Sequence, residues 1–367
     1  MSESRSATSL LSSVQREVDR SLLRARNGIK HAAGVNRAKV GLSPKDTVWE
    51  RDKVQLWRYH NPRVTKAPPI VIVMSLISRS YILDLRPGNS FIEHLLQAGY
   101  DVFMVDWGVP DEADSHNTIE TYVDDYLPLA VSAACKEARA DSVTLTGYCL
   151  GGVLAALYVA GHPEAPVRNL VLVATPVDYS KMGVIAGLVR QGRIDPEKVL
   201  DDTGNVPADA IRNVFRIRKP TADWVQYANL WENLWNDQFL EGYEAMNQWN
   251  NDHVPFAGAA MEQMVRLLIR ENRLMKGTLR LGGRKVNLKS IDVPVLNVVA
   301  EKDDIVPLAS AEPVADLVGS KDAENLKLAA GHVGLLAGRK AARETLPAIV
   351  EWLDAHSDRL RRARRVP

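Results

Sequence analysis

Cysteine is scarce in this chain. Cys135 and Cys149 are the two present in 367 residues, which excludes a disulfide framework and fits a reducing cytoplasm. Charge of one sign is not in excess either: 46 Lys and Arg stand against 45 Asp and Glu, so no global field recruits nucleic acid or an anionic membrane. No run of roughly 18 apolar residues occurs. The opening stretch MSESRSATSLLSSVQREVDRSLLRARNG holds no apolar core ahead of a small-residue cleavage site, so the chain reads as cytosolic, unprocessed and without a membrane span. Internal repeats and low-complexity tracts are missing too. The local exception to the charge balance is the basic tail at 358–367, with Arg359, Arg361, Arg362, Arg364 and Arg365, which reads as a solvated, frayed end.

What is present, 46% hydrophobic and 25% charged residues, is ordinary globular composition, with length for one large domain carrying an insertion or for two small domains. An N-terminal segment, 1–45, places Leu11, Val14, Val18 and Leu22 at spacings of three and four, which predicts an amphipathic helix over about 8–33. Such a helix either packs back on the body or docks on a partner. A strand-like stretch follows from Thr47 to His60, then a Pro-rich turn from Asn61 to Pro69. The run Ile70-Val71-Ile72-Val73-Met74 is apolar throughout, as in a strand buried on both faces of a parallel sheet. Similar runs at Val102–Val105, Val143–Leu145, Leu170–Val173 and Val295–Val299 alternate with helical patterns at Ser90–Gln97, Thr118–Glu137 and Leu150–Ala160. This rhythm predicts an α/β class core over 46–177 and 293–357, a mostly parallel sheet with helices on both faces.

The rhythm breaks over 178–292, which reads as a helical cap inserted into the core. Four tryptophans, Trp224, Trp231, Trp235 and Trp249, lie there with Tyr227, Phe239, Tyr243 and Phe256. They either form the cap's own core or face the sheet across a cleft.

The strand at Ser142–Thr146 runs into Gly147-Tyr148-Cys149-Leu150-Gly151-Gly152 and then into a helix. That order is the context of a nucleophile elbow, the α/β-hydrolase device that holds one side chain out at a strand's carboxyl end. The sulfur of Cys149 would sit at a helix N-terminus, whose free N–H groups favour negative charge. A lone cysteine is more often a small buried hydrophobe, and Cys135 is read so. Cys149 differs because an acid and a base follow in the order the elbow requires. The acid lies in Glu301-Lys302-Asp303-Asp304 after a strand, with Asp303 preferred to Asp304; the base is His332, between Gly331 and Val333-Gly334 after the next strand, about Leu326 to Leu328. The histidines at 31, 60, 94, 116, 162, 253 and 356 fit less well. An oxyanion needs donors: the backbone N–H of Leu150 and one from the loop Ser75-Leu76-Ile77-Ser78-Arg79. Nothing in the sequence calls for a metal or a bound cofactor. The same triad would serve a thioesterase, an esterase or a polyester depolymerase acting with water, and a degenerate hydrolase fold used only for binding is a further reading.

The elbow GYCLGG, the stretch SRSYILDLRPGNSFIEHLLQAGYDVFMVDWG, the acid loop EKDDIVP and the base loop GHVG together resemble polyhydroxyalkanoate synthases, over about residues 45–350. The resemblance implies a Cys149-His332-Asp303 triad, oxyanion donors at Leu150 and Ile77, a 3-hydroxyacyl-CoA substrate such as 3-hydroxybutyryl-CoA, and a polyester product. The shorter, two-subunit synthases are the nearer likeness. That implies a helical second subunit, a growing polyester chain or granule surface as a further partner, and room for a homo-oligomer. Asp304 stands where many members carry histidine, and Tyr148 and Leu150 depart from commoner choices. Asp84, Asp106 and Trp107, within the matching stretch, are read as structural. Cysteine suits the implied reaction, because attack on a thioester makes another thioester and keeps the acyl group activated.

Overall fold

The computed structural model describes residues 2–32, 38–193, 196–218 and 229–366. Trp224 and Tyr227 of the cap lie outside them. Eight strands form one sheet. In chain order they are β1 (Lys45–Arg51), β2 (Val54–Tyr59), β4 (Ile70–Val73), β5 (Val102–Asp106), β6 (Val143–Tyr148), β7 (Val167–Val173), β8 (Val295–Ala300) and β9 (Ala323–Leu328), and across the sheet β1-β2-β5-β4-β6-β7-β8-β9. The first two pairings of this order, β1 with β2 and β2 with β5, are antiparallel and the rest parallel. The stretch expected as one strand over 47–60 is therefore the hairpin β1-β2, turning at Asp52, which has a positive φ.

The apolar run of β4 has a direct physical reading. Side chains alternate across a strand, so Val71 and Val73 enter one hydrophobic cluster and Ile70 and Ile72 the other, all fully buried. The first cluster is closed by α3 (Leu127–Ala138) and α4 (Leu150–Gly161), the second by α2 (Phe91–Gln97) and by α8 (Leu346–Ala355) near the carboxyl end. Truncating one such side chain, Ile72→Ala, would cost about 2–5 kcal/mol through lost transfer energy and the cavity left behind.

Two expectations are corrected at the termini of the core. The Pro-rich segment is not a turn but strand β3 (Asn61–Ala67), and the basic tail is not frayed but strand β10 (Asp358–Val366), paired antiparallel with it. Pro62 is tolerated because this two-stranded ribbon has open edges where a missing N–H costs nothing. The arginines of β10 flank an edge that charge keeps from pairing with other chains. Arg168 pairs with Asp358, and Arg364 donates to the Ala138 carbonyl.

Between β7 and β8 the chain leaves the sheet and builds the cap from α5 (Gly183–Arg190), α6 (Ala208–Arg218) and α7 (Asp237–Asn251). Its last part returns inward: Phe256, Leu267, Leu268, Leu279 and Ile291 join the cluster under α3 and α4. The N-terminal helix α1 (Ser2–Ala32) packs on the cap through polar contacts rather than its apolar stripe. Asn27 Nδ2 donates to the Leu234 carbonyl at 2.7 Å and to Asp237 at 2.8 Å, Arg26 pairs with Asp237, and Arg20 lies 4.5 Å over the Trp235 ring. Val18, Leu22, Ala25 and Ile29 are left exposed; the side chains of Leu11 and Val14 lie outside the described residues. Among the described residues no helix is long and apolar enough to cross a membrane.

Candidate active site

The elbow is built by close approach. A Cβ on Gly147 would meet the Gly152 Cα at 2.4 Å, and one on Gly151 would meet the Val73 carbonyl at 2.2 Å, so only glycine lets α4 start this near to β4 and β6. Cys149 itself takes φ 54° and ψ −120°, a conformation that costs of order 1–3 kcal/mol for a non-glycine residue and persists where its surroundings over-determine it. Here its N–H donates to the Val173 carbonyl at 2.9 Å, and its carbonyl accepts from Gly152 N at 3.0 Å.

The acid and base arrive on neighbouring strand ends. Asp303 follows β8, and its Oδ1 accepts from the backbone N–H groups of Ile305 and Val306, each at 2.8 Å. Its Oδ2 lies 2.7 Å from His332 Nδ1, with both side chains buried. That bond holds the proton on Nδ1 and leaves the other ring nitrogen to serve Cys149. Burial opposes a charge on His332, but its interactions with Cys149 and Asp303 outweigh it and raise the imidazole to about 10. Asp303 is thus the carboxylate against the base, while Asp304 lines the cavity beside it. The Tyr148 ring packs 5.1 Å from the imidazole.

Above these groups lies a cavity of about 720 Å³, walled on the sheet side by Ser75, Ile77, Cys149 and His332 and on the cap side by Arg212, Phe215, Tyr243, Trp249 and His253. The backbone N–H of Leu150 opens α4 at Cys149, and Ile77 lies on the facing loop, so the structure brings together every residue singled out for the triad and for the oxyanion. Of the cap aromatics, Trp249 faces the sheet, buried, with Nε1 donating to the Arg79 carbonyl at 2.9 Å; Trp235 lies under α1, and Trp231 is 70% exposed.

The residues read as structural serve as pins. Asp84 accepts from Ser43 N, Ser43 Oγ and Ser90 Oγ at 2.7–2.8 Å. Asp106 accepts from Ser80 Oγ at 2.8 Å, and Trp107 donates to the Met74 carbonyl at 2.8 Å. Among the other histidines, His31 pairs with Glu244, His60 with Asp46, His162 with Asp124 and His356 with Asp322. His253, passed over as a loop histidine, lines the cavity instead. The sequence signal for it is its place four residues after Trp249 in the expected cap.

Residues 68–338 match the α/β hydrolase fold family, and residues 5–95 match the N-terminal region of poly-beta-hydroxybutyrate polymerase (PhaC). The poly(3-hydroxyalkanoate) polymerase subunit PhaC of Thiocystis violacea is 31% identical over 333 residues, which cover 90% of this chain and 93% of that one. The subunit of the same name from Haloferax mediterranei is 35% identical over 89% of this chain and 67% of its own length. Among solved structures, a monoacylglycerol lipase from Paleococcus ferrophilus superposes with a TM-score of 0.50 at 19% identity, over 83% of this chain and 100% of the lipase; that likeness is one of fold. The elbow, the buried acid-base pair and the near full-length match at this identity converge, and the chain belongs to the poly(3-hydroxyalkanoate) polymerase PhaC family, enzymes of acyltransferase type on the α/β-hydrolase fold.

Proposed function

We propose that this enzyme polymerises 3-hydroxyacyl-CoA, 3-hydroxybutyryl-CoA in the first instance, through a thioester on Cys149. The observation that carries the reading is the buried Asp303–His332 pair, with His332 and Cys149 together on the wall of one cavity, in a member of this family. The Cys149 thiolate attacks the thioester carbonyl, and the N–H groups of Leu150 and Ile77 receive the oxyanion. The bond to the CoA sulfur breaks, and CoA leaves with the proton from His332. The freed imidazole then takes the proton of a 3-hydroxyl, whose oxygen attacks the Cys149 thioester; an ester forms and the thiolate is released. Asp303 holds the imidazole in one tautomer and stabilises its charged form. Arg212 and Arg216 place positive charge on the cavity wall, complementary to the phosphates of a CoA carrier. The cap excludes water, against which the hydroxyl must compete.

A second, helical subunit completes this reading. The exposed stripe Val18, Leu22, Ala25, Ile29 repeats at four, three and four residues, the spacing of a coiled-coil seam, while the opposite face of α1 is tied to the cap. Growth at a polyester granule follows from the same product. The experiment is incubation with 3-hydroxybutyryl-CoA, with and without an added partner subunit, following CoA release and product size. Polymer with stoichiometric CoA is expected; free hydroxy acid without polymer would mean hydrolysis by the same triad and would overturn the proposal.

A further inference from the structure

The loop that carries the second oxyanion donor belongs to no strand, so something outside its own backbone must hold it. Among the described residues the hydrogen bonds to Ile77, Ser78 and Arg79 come from the end of α7 and the residues after it, while Ser80 Oγ is tied to Asp106 on the sheet side. Ile77 O accepts from Val254 N at 3.4 Å and lies 3.2 Å from His253 Nδ1, and Ser78 bridges His253 in antiparallel fashion. One residue further, the Arg79 carbonyl accepts from Trp249 Nε1, and Arg79 Nε lies 3.2 Å from Asp252 Oδ1. Tyr81 OH donates to the other oxygen of Asp252 at 3.0 Å. The cap therefore grips the oxyanion loop along 77–81.

We infer that His253 is a positioning residue for the oxyanion: through Nδ1–H it fixes the Ile77 carbonyl and so the peptide plane on one side of the Ile77 Cα, which limits how far the adjoining plane, the one carrying the Ile77 N–H, can turn away from substrate. This rests on the proposed role of Ile77. The imidazole is well placed for the task. Its face stacks on Phe215 of α6, with ring centroids 5.2 Å apart and planes 11° apart, so the ring has one orientation. A carbonyl partner requires the proton on Nδ1, and burial, reinforced by Arg212, holds the ring's pKa below its ordinary value despite the Ile77 bond and Asp252, so the ring is neutral in neutral solution. A donor aimed at a developing oxyanion acts through its direction, and losing one costs about 10²–10³-fold in kcat; loosening one costs less. A cap displaced from the sheet would release this grip, so oxyanion stabilisation and cap closure are one event.

Two substitutions test the inference. His253→Phe keeps the stack on Phe215 and removes the donor; His253→Asn returns an N–H near the position of Nδ1. With 3-hydroxybutyryl-CoA, His253→Phe is expected to lower kcat by about tenfold or more with KM within about twofold. His253→Asn should recover most of the loss, and Cys149 alkylation by iodoacetamide, which forms no oxyanion, should proceed at the wild-type rate in both. An unchanged kcat in His253→Phe, or alkylation falling in parallel with turnover, would overturn it. p-Nitrophenyl acetate separates this inference from the proposed function, since its attack on Cys149 needs the oxyanion and not CoA. If the wild type were inert toward the CoA thioester yet His253→Phe slowed p-nitrophenolate release, the substrate assignment would fail and the positioning role would stand.

Discussion

On the sheet side of the cavity each reacting group is held by its own strand end. Cys149 sits at the carboxyl end of β6, Asp303 just past β8 and His332 just past β9, with backbone N–H groups fixing the acid and glycines fixing the elbow. On the cap side, α6 and α7 reach the same cavity, and apart from the backbone bridge at Ser78 and Val254 their contact with the chemistry is a set of side-chain bonds: Trp249 to Arg79, Asp252 to Arg79 and Tyr81, His253 to Ile77. A strand end cannot move without breaking the sheet, whereas side-chain bonds of this kind are worth about 1 kcal/mol each and can be made and broken in a cycle. Chemistry is thus fixed on one side and access is adjustable on the other.

Damage to the fixed side should be the more severe. Cys149→Ala is expected to remove CoA release altogether, by about 10³-fold or more, while leaving the far-ultraviolet circular dichroism unchanged; residual turnover near wild type would place the nucleophile elsewhere. Asp303→Asn should follow with a loss of about 10²–10⁴-fold in kcat, because the wrong tautomer of His332 is then favoured. If Asp304→Asn were the more damaging of the two, the acid would have to be reassigned. On the adjustable side, Trp249→Phe keeps the buried ring and removes one donor to the oxyanion loop. A fall of about threefold to tenfold in kcat, with melting temperature nearly unchanged, is expected from the loss of a single hydrogen bond.

The fixed side also has a pH signature. The folded value of His332, about 10, lies above its ordinary 6.5, so the stability contributed by the imidazolium is full below about pH 6.5 and is lost as pH rises toward 10. Thermal melts across that window should fall more steeply for the wild type than for His332→Gln; parallel curves would remove the ion pair from the account. The smallest effect on chemistry is expected for deletion of α1, which is tied to the cap through Asn27 and Arg26. Cys149 alkylation should be unchanged while association with a helical partner subunit is lost, and intact association would free the exposed stripe of that role.

The same contrast explains what could be read in the sequence. Gly147 and Gly151 around Cys149, an acid after β8 and a histidine after β9 are local patterns, since each is set by the strand it ends, so the α/β core and its triad geometry were legible. Trp249, His253 and Phe215 come together only when α6 and α7 fold over the sheet, and helical periodicity does not say which face meets what. Pairing of β3 with β10 joins residues nearly 300 apart in the chain; Pro62 alone reads as a turn and a run of arginines alone as a solvated end. For α1 the pattern showed the apolar stripe and a polar face, but the polar face turned out to be the one that packs, through Asn27 and Arg26, which hydropathy does not register.

The most direct test of the account is to mix the enzyme rapidly with 3-hydroxybutyryl-CoA, quench in acid and map the adduct by peptide mass spectrometry. One 3-hydroxybutyryl group on the peptide carrying Cys149, labile to hydroxylamine and absent in His332→Gln, is the predicted result. Release of CoA with no acyl group ever found on Cys149, or with the acyl group on another residue, would contradict it.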